Sequence, residues 1–216
     1  EGFGEGLPRT YVTGEDRSFV FDAIKDHYWP RIKGATLPAM SCVEHLIELD
    51  QLLGSPELPP NVKVSNAGRC AVELALVDAA LKREGRSLGN LLGRARPACR
   101  YHGVVTASSP DNAAKLAKKM KLIGLSHLKI KIGLGEDYER VKAVSDVMQG
   151  APVRLDANAN QELQEALATI DELREFNIES IEAPLIPGNL DALATYKEAC
   201  PWGVVVDENL LTVEDA

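Results

Sequence analysis

The sequence predicts an α/β protein: part of a (β/α) barrel of the TIM type, about five β/α units, preceded by a region of helices and loops of different character. Three observations carry this reading. Four charged residues, Lys131, Asp156, Glu182 and Asp207, recur at intervals of 25, 26 and 25 positions. Each closes a short apolar run: His-Leu-Lys-Ile-Lys, Val-Arg-Leu-Asp, Ser-Ile-Glu and Val-Val-Val-Asp. The segments between them have the spacing of amphipathic helices. In a barrel of parallel strands the C-terminal strand ends converge on one mouth, so residues one β/α unit apart become neighbours around a single site.

Taken in order, residues 1–96 differ in character from residues 97–216, which read as the first part of the barrel. The chain opens at Glu1 in Gly-Phe-Gly-Glu-Gly-Leu-Pro, which reads as the end of a strand and its turn. Phe19, Phe21, Ile24 and Tyr28 mark a first helix, and Val43, Leu46, Ile47, Leu49, Leu52 and Leu53 a second. A third runs from residue 70 to 84, with Ala71, Leu74, Ala75, Val77 and Leu81 ahead of Gly85. Its small and apolar residues lie nearly all round, which predicts deep burial. Loops rich in turn residues occupy 8–14 and 54–60.

From Pro97 strands and helices alternate. Strands are expected over 101–106, 127–132, 153–156, 180–183 and 204–207. The helices between them start at Ser109-Pro110, where a proline costs no hydrogen bond, and cover 137–148, 161–176 and 190–199. Thr212-Val-Glu-Asp has the pattern of a helix start. The interval places a further strand end near position 232, past Ala216, and a full barrel takes roughly 250 residues. On this reading the chain holds part of a barrel and is an incomplete enzyme.

Composition narrows the class of partner. An apolar fraction of 45% with 26% charged residues belongs to a folded domain, not a disordered one. The net charge of −8, with basic residues scattered among acids, argues against nucleic acid. No apolar run is long enough to span a membrane. Cys42, Cys70, Cys99 and Cys200 are widely spaced, a pattern of reduced thiols in a cytoplasmic protein.

The chemistry concentrates at the strand ends. Buried carboxylates demand a counter-charge, so Asp156, Glu182 and Asp207 together call for a cation. Oxygen donors at this density select Mg2+, Mn2+ or Ca2+ over zinc. Any one acid alone reads equally well as the cap of the following helix; three in phase with a lysine favour the metal. Lys129 and Lys131, two apart on one strand, share a face. Their repulsion and partial burial are expected to lower the pKa of one of them into the range of a base. A metal beside a basic lysine suits removal of a proton next to a carboxylate, through an enediolate.

Other motifs carry less. Asp156-Ala-Asn158-Ala-Asn160 opens like a calcium loop but has Gln161 and Leu167 where that loop requires glycine and glutamate. Gly133-Leu-Gly135 lacks the rest of a phosphate loop and reads as a turn. His27, His45, His102 and His127 sit away from the mouth and read as structural. Glu208 follows Asp207 directly, should point away from it, and reads as a group that supports the site from behind or packs the barrel.

Lys-Ile-Lys at 129–131, Asp-Ala-Asn at 156–158, Ile-Glu-Ala-Pro at 181–184 and Val-Asp-Glu-Asn at 206–209 resemble the enolase superfamily, in particular its muconate cycloisomerase-like subgroup. Ser-Leu-Gly-Asn-Leu-Leu-Gly at 87–93, after the third helix, is similar to the family's joint between capping domain and barrel, so the resemblance covers nearly the whole chain and implies that residues 1–96 are part of an α+β capping domain. It implies that Asp156, Glu182 and Asp207 bind magnesium, that Lys131 is the acid/base lysine, that Lys129 tunes it and that Asn158 supports the metal. It implies a small carboxylate-bearing substrate and a homo-oligomer. Muconate cycloisomerase chemistry is the leading expectation, with dipeptide epimerase and o-succinylbenzoate synthase as alternatives in the same superfamily. The family usually has Gln and Ser where this chain has Ala183 and Asn209, and a second lysine on a sixth strand that these residues do not include. Outside the superfamily, two readings compete: a Schiff-base aldolase with Lys131 as nucleophile, and a fragment without activity whose open strand edges pair with another copy.

Overall fold

The computed structural model describes residues 1–93, 96–106, 109–212 and 215. The chain divides into two compact units, Glu1–Ala98 and Cys99–Ala216.

In the first unit, α1 (Arg17–Asp22) starts where the Asp16 side chain accepts from the Phe19 amide. It runs without a break through a π-helical stretch, Ala23–Tyr28, into α2 (Trp29–Ile32). Pro30 has no N–H to give and its ring crowds the carbonyl of the preceding turn, which accounts for the widened geometry there. α3 (Glu44–Leu53) stops at Gly54, and α4 (Asn66–Arg83) is the long helix of the unit. α5 (Leu88–Leu92) begins with a capping box in which Ser87 and Asn90 satisfy each other's amides. Tyr28, Met40, Leu49, Leu53, Val77, Leu81 and Leu91 close the core.

Two expectations change here. α4 is buried mainly along Ala67, Gly68, Val72, Val77, Ala80 and Leu81, while Leu74 is exposed, so within this unit it is not covered all round. The glycine-rich opening forms no strand; the described residues of this unit contain helices only. It lies instead along α4. A Cβ on Gly2, Gly4 or Gly6 would come within about 2 Å of the carbonyl oxygens of Ala75, Ala71 and Ala67 respectively, so the alternating glycines let the two backbones touch.

The second unit alternates β1 (Gly103–Val105), α6 (Pro110–Leu122), β2 (Leu128–Lys131), α7 (Asp137–Met148), β3 (Val153–Asp156), α8 (Leu163–Leu173), β4 (Ile178–Glu182), α9 (Leu190–Ala199) and β5 (Gly203–Val205). The five strands form one parallel sheet in the order of the chain. Val105, Leu128, Ile130, Val153, Leu155 and Ile181 pack against Ala113, Ala117, Val141, Val144, Ile170 and Leu173 of the helices. Alternation sends Lys129, Lys131 and Arg154 to the other face of the sheet. The helix start expected at Thr212 falls on Val213 and Glu214, which lie outside the described residues. Among the described residues no helix is long and apolar enough to cross a membrane, and the four cysteines are free thiols.

Candidate active site at the strand ends

Register decides which of the charged residues meet. β2 pairs with β3 at an offset of 25, setting Lys131 beside Asp156. Between β3 and β4 the register slips by one residue after Val153, so that Asp156 stands beside Glu182. This irregularity is why the second interval is 26 and not 25. β4 pairs with β5 at an offset of 23, however, and the partner of Glu182 is Val205. Asp207 is therefore one same-face step, about 6.6 Å of strand rise, further along. It is exposed and lies past the end of β5. The equal spacing of all four residues thus does not place all four in one row. Among the described residues no three His, Cys, Asp or Glu side chains are grouped so that they could hold a metal ion.

What the strand ends do bring together is a lysine, from outside that row, between two carboxylates. Lys129 Nζ lies 2.9 Å from Asp156 Oδ2 and 2.6 Å from Glu182 Oε1. Asp156 is almost wholly buried, and its Oδ1 accepts from the Asn158 amide at 3.0 Å. Burial opposes the charge on Lys129, yet the hydrogen bonds to Glu182 and Asp156 and their negative charge outweigh it, and hold the ammonium above the usual lysine value. The expectation of a lowered pKa from lysine–lysine repulsion is reversed at Lys129, because the nearest charges come from β3 and β4, not from its own strand.

Lys131 is held differently. Its Nζ donates to Asn158 Oδ1 at 2.5 Å, and Asn158 Nδ2 donates to Glu208 Oε1 at 3.4 Å. Glu208 Oε2 is buried without a hydrogen-bond partner. Glu208 thus reaches Asn158 through Oε1. Asn158, Ala159 and Ala183 adopt left-handed backbone with φ of 47, 54 and 44°. The Ala159 amide donates to the Ala183 carbonyl, and the Ala183 amide to that of Val205, so the ladder that forces these conformations continues beyond the strand ends.

Arg140 escaped the sequence reading. Its side chain is fully buried beneath this mouth, and it donates to the Lys131 carbonyl at 2.6 Å and the Gly135 carbonyl at 3.0 Å, and pairs with Asp137. A signal was available: Arg140, Val144 and Met148 form one helical stripe, and a charge in an apolar stripe needs an explanation. Gly133 and Gly135 form the expected turn, both with positive φ.

A family model described as enolase C-terminal domain-like matches residues 112–216. The chain is 26% identical over 221 residues to the L-Ala-D/L-Glu epimerase of Bacillus subtilis (strain 168), covering 100% of this chain and 57% of that protein. It is 28% identical over 229 residues to muconate cycloisomerase 1 of Pseudomonas putida, covering 100% and 57%. It is 27% identical over 221 residues to the o-succinylbenzoate synthase of Bacillus subtilis (strain 168), covering 100% and 55%. A substrate-liganded structure of the Bacillus subtilis L-Ala-D/L-Glu epimerase superposes with a TM-score of 0.85 at 26% identity, over 99% of this chain and 58% of that one. The chain spans somewhat more than half the length of the relatives it matches.

Proposed function

The chain belongs to the enolase superfamily, its residues 112–216 matching the C-terminal domain-like family, and from that premise we propose that it supplies the site for removing a proton alpha to a substrate carboxylate. The observation that carries the reading is the row Lys131, Asp156, Glu182 at adjacent strand ends. Lys131 is the acid/base: its Nζ takes the proton, and Asn158 fixes where that nitrogen points. Asp156 and Glu182 are all-oxygen donors already converging on one cationic nitrogen, a donor set that fits Mg2+ or Mn2+. Asp207 is the third ligand in this proposal and has to approach from its place past β5. A bound divalent cation would supply neutralisation of the second negative charge that the carboxylate acquires as an enediolate. Lys129 keeps the two carboxylates together and offsets part of their charge; Glu208 supports Asn158 from behind.

The substrate class is a small organic acid. A muconate cycloisomerase-like reaction, dipeptide epimerisation and o-succinylbenzoate synthesis find equal support, because the three relatives match at nearly the same identity over the same share of their length. Residues 1–96 act as the capping portion and 97–216 as the barrel portion. A cytoplasmic homo-oligomer completes the reading.

Titration with Mn2+, followed by electron paramagnetic resonance, tests the metal half. Asp156→Asn and Glu182→Gln are each expected to weaken binding at least about tenfold. Unchanged affinity in both variants refutes the assignment.

A further inference from the structure

We propose that Arg140 is a positioning residue for Lys131, acting through the Lys131 backbone. This rests on the reading of Lys131 as the acid/base. An arginine on the stripe that Val144 and Met148 continue is an expensive choice if packing alone is at stake: Val144 is fully buried beside it, and an aliphatic side chain would fill the space without burying a charge. The guanidinium is placed where three parts of the chain meet. One arm donates to the carbonyl of Lys131, the last residue of β2. Nε donates to the carbonyl of Gly135 in the following turn. The other arm pairs with Asp137 in the first turn of α7, and the second carboxylate oxygen of Asp137 accepts from the Gly133 amide at 2.7 Å. Strand end, turn and helix start are thereby locked into one ring of hydrogen bonds. A planar fork with several fixed donors spans such a set, whereas an ammonium acts as a point charge and does not.

The consequence for chemistry is angular. Lys131 carries its Nζ on a long, flexible stem, and the Asn158 contact can hold the nitrogen only if the Cα of Lys131 is itself fixed relative to β3. Arg140 fixes that Cα from below, on the side of the sheet opposite the lysine side chain. Loss of this anchor lets the strand end tilt and the Nζ wander by the distances that matter for proton transfer.

The test uses the full chain labelled with 13C at lysine Cε, the Lys131 resonance being assigned with Lys131→Met. Asn158→Ala is expected to shift that resonance. Arg140→Met, in folded protein as judged by circular dichroism, is expected to shift it to the same side and to erase the further effect of Asn158→Ala, while Mn2+ affinity stays within about threefold. Arg140→Lys, which keeps the buried charge but not the fork, is expected to show the same loss of the Asn158 effect, and it decides the matter if the methionine variant does not fold. A Lys131 resonance that still responds fully to Asn158→Ala in these variants overturns the proposal. Exchange of an alpha proton into deuterated solvent is read separately. Where the wild type exchanges, Arg140→Lys is expected to slow it by roughly tenfold or more. If Lys131→Met leaves exchange untouched, the acid/base reading fails, and the NMR result still decides the positioning role.

Discussion

Replacing Lys129 by methionine removes the ammonium that lies between Asp156 and Glu182, and keeps the length of the aliphatic stem. The two hydrogen bonds lost, at 2.6 and 2.9 Å, are both charge-assisted. The Lys129 side chain is 21% exposed, Glu182 24% and Asp156 3%, so water screens the pair in part and the lower end of the range for such bonds applies. Two bonds at about 1.5 kcal/mol each give about 3 kcal/mol, and sparing the ammonium its desolvation returns some of this, leaving a net loss of about 2 kcal/mol. Urea unfolding at pH 7 measures it. The pH dependence adds a second constraint. Since Lys129 in the folded protein titrates above its ordinary 10.5, its contribution is complete below pH 10.5 and is lost as pH rises through the folded value. The stabilities of wild type and Lys129→Met should therefore converge at strongly alkaline pH. A loss below about 0.5 kcal/mol at pH 7, within the range of an ordinary surface substitution, would refute the argument that this lysine holds the carboxylate pair together.

Gly133→Ala places a side chain at φ +77° with its Cβ 2.7 Å from Asn160 Nδ2, and thermal unfolding should report a destabilisation of about 1–3 kcal/mol. Ser87→Ala removes the acceptor for the Asn90 amide and half of the capping box, with an expected cost of about 1 kcal/mol in the same assay. His102 is held below its ordinary 6.5 by burial and then by the charges of Arg154 and His127, and its Nε2 is buried without a partner. The unfolded chain takes up a proton first, so stability should fall as pH drops from 6.5 through the folded value. His102→Phe should flatten that slope, and an unchanged slope would show that other groups set the acid sensitivity.

The order of strands and helices in the second unit was legible because each parallel strand is covered on one face by helices and reads as a short apolar run. The helices at 137–148 and 190–199 have the bounds their periodicity predicts. Lys131, Asp156 and Glu182 were legible for the same reason, since strand ends carry the polar residue that closes each run. The glycine-rich opening misled because its alternation mimics a strand, whereas the glycines serve a close contact with α4.

The sequence by itself determined the alternating architecture and the charged residues that close the apolar runs, because hydrophobic periodicity and residue type are local properties. Only the tertiary structure decided which charges share a row. An interval in sequence adds the lengths of a helix and two loops, and it does not report the register in which two strands pair; the same count of 25 puts Lys131 beside Asp156 and leaves Asp207 a step past Glu182. The state of Lys129 and the place of Arg140 were decided there too. Their partners come from other strands or from the turn beneath the site, and an electrostatic environment is set by distance in space.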